Sequence, residues 1–140
     1  PHASALDIEI DHAEDMKDVL TLSKSEELLI VLSSHDFIET PEKKHLQDKV
    51  TEGYERGADV VKIATTTTHF KDIVNLMNLF DLFESYHLSV MGMGRLGMAS
   101  RLLAAQCGSV LNYAALESAN VPGQWKVNNF KKILKAANEI

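Results

Sequence analysis

The feature that most constrains the fold is a repeat, in which a short apolar run is followed by a longer amphipathic stretch. Five such units follow one another at a spacing of roughly 25–30 residues, with no change of composition between them. The apolar runs have the length of strands, and the longer stretches carry apolar residues at helical spacing. Strands that alternate with helices predict parallel strands joined by helical crossovers. We therefore expect an α/β fold that forms a single domain over residues 1–140.

The predicted elements leave two architectures open. The predicted strands cover residues 6–10, 28–32, 60–64, 88–91 and 110–114. The predicted helices cover residues 16–22, 40–56, 69–85, 99–106 and 128–138. An open doubly wound sheet and a closed eight-stranded barrel both have this alternation. A closed barrel typically needs ~250 residues, so length alone favours the open sheet.

Composition and charge exclude several classes of protein. The formal net charge of −6 argues against nucleic acid as the main partner. No apolar run is long enough to span a membrane, and no signal peptide is recognisable. The single cysteine, Cys107, lies in an apolar helical stretch, so we expect a buried and unreactive thiol. These features favour a cytoplasmic protein with neither a membrane partner nor a nucleic-acid partner.

Lys62 lies in the middle of the apolar run 60–64, where a charged group is unusual. Burying an ammonium group costs free energy unless the group is paired or loses its proton. An unprotonated amine in such a position is a nucleophile that can form an imine with a carbonyl compound. The alternative is a structural lysine that reaches the strand end or pairs with a carboxylate.

Other polar side chains follow the predicted strands. They are His35, Arg95, Arg101, Asn120 and Gln124. Because the carboxyl ends of parallel strands lie at one edge, we expect these side chains to surround Lys62. A histidine and a lysine supply a proton carrier and a nucleophile, and an arginine binds anions. We interpret Arg95 as a solvated loop residue. The remaining histidines are scattered without metal-ligand spacing, so no metal site is predicted.

A glycine-rich turn follows the fourth predicted strand. Gly92, Gly94 and Gly97 match the G-x-G-x-x-G pattern of dinucleotide-binding proteins, and Glu117 lies further along the chain. That pattern belongs in the first strand–helix turn of a dinucleotide fold, whereas here it is in the fourth. We expect instead a turn that lets a substrate or an anion approach backbone N–H groups.

Four local sequences together resemble the motifs of one enzyme family. They are Ser34-His35-Asp36-Phe37 with Thr40-Pro41-Glu42, then Val61-Lys62-Ile63-Ala64, then MGMGRLGMASR over residues 91–101, and Pro122-Gly123-Gln124. In this order and spacing they resemble the catalytic histidine segment, the Schiff-base lysine strand, the M-x-M-[AG]-x-x-G-x-x-S-R loop and the substrate-covering loop of type I 3-dehydroquinate dehydratase. The resemblance extends from about residue 6 to the end of the chain.

The resemblance implies a fold that length alone does not favour. The family fold is a (βα)8 TIM barrel, of which this chain would be the C-terminal portion, with about five βα units that correspond to strands four to eight. In the family, the first three units carry a glutamate that pairs with the catalytic histidine, together with further substrate-binding residues. Those units are absent from the 140-residue sequence.

The resemblance also implies a reaction, the dehydration of 3-dehydroquinate to 3-dehydroshikimate in the shikimate pathway of aromatic amino acid biosynthesis. Such an enzyme is a hydro-lyase that uses no metal and no organic cofactor. By resemblance, Lys62 forms a Schiff base with the substrate ketone. His35 then removes the neighbouring proton and later protonates the leaving hydroxyl.

The remaining roles implied by the resemblance concern substrate binding. Arg101 would bind the substrate carboxylate, and Gln124 would bind hydroxyls from a loop that closes over the site. Phe37, Met91 and Met93 would form an apolar wall that helps to keep the amine neutral, with Tyr113 as a further wall residue. Asn120 stands where the family often has serine, and its amide can also bind a hydroxyl.

Two other functions stay open at this point. The first is another imine-forming barrel of the class I aldolase type, although the His-Asp-Phe and Pro-Gly-Gln segments have no clear place there. The second is a non-catalytic partial barrel, because five units cannot close a barrel and leave two strand edges unpaired. Partial barrels of this kind can complete one another as oligomers, and we predict a homodimer.

Overall fold

A computed structural model of the protein describes residues 3–119 and 121–139. It has one sheet of four parallel strands in the order β1-β2-β3-β4. The strands are β1 (Ala5–Glu9), β2 (Leu29–Asp36), β3 (Val60–Thr66) and β4 (Leu88–Met93). The helices are α1 (Lys17–Ser25), α2 (Lys43–Glu55), α3 (Phe70–Leu82), α4 (Gly97–Gln106) and α5 (Val127–Asn138). The predicted parallel α/β fold is therefore confirmed.

The alternation of side chains along β3 separates the core from the site. Val61 and Ile63 are fully buried under the helices and belong to the main hydrophobic core. Lys62 and Ala64 point to the opposite side of the sheet, which we call the inner face. On this face, Ala64 packs with Met91 and Met93 of β4. Because adjacent positions alternate, one strand supplies both the core and the candidate site.

The predicted fifth strand does not form. Residues 109–116 lie beside β4, and the Val110 N–H donates a hydrogen bond to the Leu88 carbonyl (2.9 Å). The Val90 N–H, which a neighbouring strand would bind through its backbone, donates instead to the hydroxyl of Ser109 (3.1 Å). Because a side chain takes the place of a backbone partner, the segment stays irregular and the sheet has four strands where the sequence predicted five.

The exposure of Cys107 differs from the prediction. Cys107 is exposed, so the prediction of a buried thiol is wrong. The physical reason is that α4 ends at Gln106, which places Cys107 beyond the last turn that packs on the sheet.

Among the described residues, no helix is both long and apolar enough to cross a bilayer. The other predicted elements form where the sequence places them, with ends that differ by a few residues.

Candidate functional site

The predicted site residues come together at the carboxyl ends of the strands, on the inner face. A pocket of about 200 Å³ lies there, lined by His35, Phe37, Lys62, Ala64, Met91, Met93, Arg101, Tyr113, Val121 and Gln124. Asn120 lies outside the described residues. Arg95 is exposed and does not line the pocket, as its interpretation as a loop residue predicts. A larger cleft beside Lys24 and Asp59 lies at the other end of the strands. Its lining residues include a lysine but no histidine.

Lys62 is buried in the centre of this pocket, with 8% of its surface exposed. Its Nζ donates a hydrogen bond to Asp7 Oδ2 of β1 at 2.8 Å. The same Nζ lies 4.8 Å from the centre of the Tyr113 ring. A carboxylate and an aromatic face both attract a cation. Phe37, Met91 and Met93 line the pocket as predicted, but the amine that they were expected to help keep neutral is paired with a carboxylate, as the structural alternative for Lys62 predicts.

His35 is held by a second carboxylate of β1. Its Nδ1 pairs with Glu9 Oε1, and its ring stacks on Phe37 with centroids 5.7 Å apart and an angle of 5° between the planes. With Nδ1 engaged, Nε2 is the nitrogen left to exchange a proton with a ligand. The resemblance located the carboxylate partner of this histidine in units absent from the chain, whereas the structure gives that position to Glu9.

Asp7 and Glu9 are the two site residues that sequence reasoning missed. Apolar and acidic residues alternate along the segment 6–10, and this alternation by itself predicts only a strand. The same alternation contains the missing signal, since residues two apart in a strand point to one face. The two carboxylates therefore lie together on the inner face, where Asp7 reaches Lys62 and Glu9 reaches His35.

Arg101 is the cationic residue of the pocket without a carboxylate partner. It is 4% exposed, and its Nε and Nη1 donate to the carbonyls of Gly92 and Tyr113, each at 2.9 Å. Among the described residues, no carboxylate oxygen lies within 4.0 Å of its guanidinium. Burial without a counter-charge lowers the pKa of Arg101 to about 10. A ligand anion can supply the charge that the protein does not.

The glycine-rich turn contacts a loop of the protein itself. Gly94 has a φ of +75°, and its N–H donates to the Pro122 carbonyl at 2.7 Å. The Leu96 N–H likewise donates to the Thr67 carbonyl at 3.0 Å. For these two N–H groups, the prediction that a substrate or an anion binds them is wrong, because protein carbonyls already do. The turn instead fixes the loop 121–124, which places Gln124 at the pocket.

This contact predicts that Gly123→Ala is more destabilising than Gly108→Ala. Both glycines have positive φ, +79° and +102°, so either substitution carries a backbone cost of about 1–2 kcal/mol. A Cβ on Gly123 would also lie 2.2 Å from the Gly94 carbonyl oxygen, whereas a Cβ on Gly108 meets no atom within 4 Å. We expect the loss of unfolding free energy in Gly123→Ala to be greater by about 1–3 kcal/mol. Urea denaturation followed by Trp125 fluorescence measures both losses, and equal losses would show that the loop does not depend on this contact.

The chain is similar to known proteins of one family. A family model described as type I 3-dehydroquinase matches residues 2–140. The chain belongs to the type I 3-dehydroquinase family. A 3-dehydroquinate dehydratase of Methanococcoides burtonii is 34% identical over 132 residues, which cover 94% of this chain and 56% of that protein. A catabolic 3-dehydroquinate dehydratase of Acinetobacter baylyi is 33% identical over 139 residues, which cover 96% of this chain and 51% of that protein.

Solved structures of the family share the fold. The 3-dehydroquinate dehydratase of Geobacillus kaustophilus matches with a TM-score of 0.89 and 25% identity, over 97% of this chain and 54% of that chain. The type I enzyme of Clostridium difficile, solved with covalent modified comenic acid, matches with a TM-score of 0.87 and 27% identity, over 97% and 56%. The type I 3-dehydroquinase chain described here thus spans about half the length of its relatives. Its four-stranded sheet is part of a TIM-barrel fold, so the barrel, and not the open doubly wound sheet, is correct.

Proposed function

We propose that this chain carries the imine-forming site of a 3-dehydroquinate dehydratase, which converts 3-dehydroquinate into 3-dehydroshikimate and water. The observation that carries the proposal is the burial of Lys62 on the inner face of β3, in one pocket with His35 and Arg101. An amine, an imidazole and a guanidinium are the groups that imine-based dehydration of a carboxylated ketone requires. The covalent modified ligand in the Clostridium difficile relative supports covalent chemistry in the family.

The first step is the attack of Lys62 on the ketone. The amine must be unprotonated to form the N–C bond, and the resulting carbinolamine loses the ketone oxygen as water to give an iminium ion. Asp7, which pairs with the ammonium at 2.8 Å, lies where it can serve as the counter-ion of the iminium. The positive iminium nitrogen withdraws electrons from the neighbouring C–H bond and makes it more acidic. This electron withdrawal is the role that a metal or an organic cofactor would otherwise have, so the proposed mechanism uses none.

His35 then performs the proton transfers. Its Nε2 removes the acidified proton, while Glu9 holds Nδ1 and stabilises the imidazolium that forms. The same nitrogen returns a proton to the hydroxyl on the next carbon, whose C–O bond breaks as the carbon–carbon double bond forms. Hydrolysis of the iminium by water releases the product and restores the amine of Lys62.

The remaining residues bind the substrate. Arg101 pairs with its carboxylate, because a buried guanidinium fork without a counter-ion suits that group. Gln124 binds substrate hydroxyls from the loop 121–124, and Phe37 and Met93 form the apolar side of the pocket. Asn120 is still only predicted to bind a substrate hydroxyl. The homodimer and the cytoplasmic location are likewise still predictions.

Borohydride trapping tests the proposal. The 140-residue chain is incubated with 3-dehydroquinate, reduced, and analysed by intact and peptide mass spectrometry. We expect one reduced adduct, located on Lys62. An adduct on another lysine, or none in a folded sample, would contradict the proposal. Dihydroxyacetone phosphate, a ketone that class I aldolases bind, serves as the comparison substrate, and an adduct with it alone would favour the aldolase-type alternative.

A further inference from the structure

Phe37 stacks on the imidazole of His35 although most of its surface is exposed. The two rings are parallel to within 5°, with centroids 5.7 Å apart, and Phe37 is 68% exposed. The hydrophobic effect is proportional to the apolar area removed from water, so it contributes little to holding so exposed a ring in place. Other interactions of the segment 36–40 must therefore fix the contact between the two rings.

Hydrogen bonds of Asp36 shape the start of this segment. One carboxylate oxygen of Asp36 accepts hydrogen bonds from the N–H groups of Ile38 and Glu39, each at 2.9 Å. Such bonds from an aspartate to N–H groups a few residues further on are typical of a turn. The backbone carbonyl of Asp36 accepts a longer hydrogen bond from the hydroxyl of Thr66, at 3.4 Å. Phe37 therefore lies inside a turn whose first residue is tied to β3.

Thr40 ties the far end of the segment to the same strand. Its hydroxyl donates a hydrogen bond to the backbone carbonyl of Thr66 at 2.9 Å and lies 2.8 Å from the hydroxyl of Thr65. Because a hydroxyl has one hydrogen, which Thr40 gives to the carbonyl, Thr65 is the donor of the second bond. Thr65 is buried, so water does not readily replace Thr40 as the partner of its hydroxyl. We call these two bonds of Thr40 the threonine clamp.

The hydroxyl of Thr40 does not cap the helix that follows. The sequence predicted a helix from residue 40, but α2 begins at Lys43 and its N-cap residue is Glu42. The side chain of Glu42 makes no capping hydrogen bond. Thr40 thus lies before the helix, and its hydroxyl joins the loop to β3.

We propose that Thr40 is a positioning residue for His35, because the threonine clamp keeps the Phe37 ring stacked on the imidazole. Glu9 pairs with Nδ1 and so holds one atom of the imidazole. The Phe37 ring holds the face of the imidazole, and the two contacts together fix the direction in which Nε2 points. The inference rests on the proposed function for the proton transfers that His35 performs. The clamp itself requires no ligand.

NMR of the chain with isotope-labelled histidine measures the stack directly. A parallel aromatic ring shifts the signals of the protons that lie over it, and the carbon-bound ring protons of His35 report this shift. His35→Gln assigns the signals by their loss, and Phe37→Leu gives their unstacked position. Thr40→Val keeps the shape of the side chain but loses the hydroxyl and both bonds of the clamp. Loss of two hydrogen bonds changes a conformational equilibrium about tenfold, so we expect the His35 signals to move at least about half of the way to the unstacked position.

Two variants control for the loss of a hydroxyl. Thr40→Ser keeps the hydroxyl and should leave the His35 signals close to their wild-type position. Thr21→Val removes a hydroxyl that bonds a backbone carbonyl of α1, outside the pocket, and should leave the signals unchanged. Unchanged signals of His12 and His87, which are exposed, show that each variant is folded.

Thr65→Val breaks one bond of the clamp from the side of β3, and it keeps the test decisive if Thr40→Val does not fold. It should move the His35 signals in the same direction but less far, because the bond from Thr40 to the Thr66 carbonyl remains. Wild-type His35 signals in Thr40→Val, or in Thr65→Val where only that variant folds, would overturn the proposal. Signals in Thr40→Ser that coincide with those of Thr40→Val would also overturn it, because the hydroxyl would then not be the cause.

Borohydride trapping of the same variants separates this inference from the proposed function. Trapping depends on Lys62, so Thr40→Val should keep the wild-type level, and a loss in that variant would contradict a role confined to the imidazole. The NMR signals need no substrate. If the wild-type chain gives no adduct but Thr40→Val shifts the His35 signals, the proposed function fails and the clamp stands. If trapping occurs on Lys62 and the His35 signals do not move, the function stands and the clamp fails.

Discussion

Lys62→Ala is expected to give no reduced adduct with 3-dehydroquinate and to keep its fold. Lys62 is the lysine of the described pocket, so its removal leaves no amine positioned to attack the ketone. The fold should survive because the partner left behind, Asp7, keeps 35% of its side chain exposed and can be hydrated. The loss of unfolding free energy should stay within about 3 kcal/mol, the range for most single substitutions. Peptide mass spectrometry after borohydride reduction measures the adduct, and circular dichroism measures the fold.

Lys49→Ala is the matched control for this prediction. Lys49 is also partly buried and ion-paired, with Asp11 and Glu52, but it lies on α2 outside the pocket. Its removal should leave trapping at the wild-type level. Persistent trapping in Lys62→Ala would show that the nucleophile is wrongly assigned, and a loss of trapping in both variants would show that the adduct depends on general stability rather than on one amine.

The parts of the fold that could be predicted from the sequence are those set by local pattern. The run 60–64 is predicted as a buried strand because it is short and apolar, and its alternation places Lys62 opposite the core residues Val61 and Ile63. His35 and Arg101 could be placed near Lys62 because parallel strands bring their carboxyl ends together. These inferences need only strand period and topology, both of which are visible along the chain.

The parts that could not be predicted depend on contacts between distant residues. Asp7 and Lys62 form an ion pair although they are 55 residues apart in sequence. The period of a strand predicts which face of the sheet a side chain lies on, but it does not predict which distant residue that side chain contacts. The segment 110–114 has the composition of a strand, but the Ser109 hydroxyl takes the Val90 N–H that pairing would use. In both cases a tertiary contact decides between alternatives that are locally equivalent.

The two carboxylates of β1 supply partners for the amine and the imidazole of the proposed site. Asp7 and Glu9 give Lys62 and His35 their ion-pair partners from within the chain. The amine and the imidazole therefore each have an ion-pair partner within the part of the family fold that this chain spans. Arg101, the proposed ligand of the substrate carboxylate, is likewise held by carbonyls of this chain. Trapping by the 140-residue chain is thus a fair test of the proposed site.

Arg101→Lys is expected to raise the concentration of 3-dehydroquinate that half-saturates trapping by about 100-fold. A guanidinium fork can bind the carbonyls of Gly92 and Tyr113 and still present a planar edge to a carboxylate, whereas an ammonium cannot do all three. The substitution keeps the positive charge but loses a hydrogen bond to a charged group, which costs about 1.5–3 kcal/mol and brackets this factor. The maximum extent of trapping should stay unchanged, because Lys62 and its partner Asp7 are untouched. Trapping measured over a range of substrate concentrations separates the two quantities.

Arg95→Lys is the control from the same turn, since Arg95 is exposed and does not line the pocket. It should change neither the half-saturating concentration nor the extent of trapping.

The methyl ester of 3-dehydroquinate provides the matching test from the side of the substrate. If Arg101 binds the carboxylate, the ester should bind the wild-type chain about as weakly as the acid binds Arg101→Lys, and the variant should barely distinguish acid from ester. If the variant still prefers the acid by the wild-type factor, another group binds the carboxylate, and the role of Arg101 is to tie the segment 109–116 to β4.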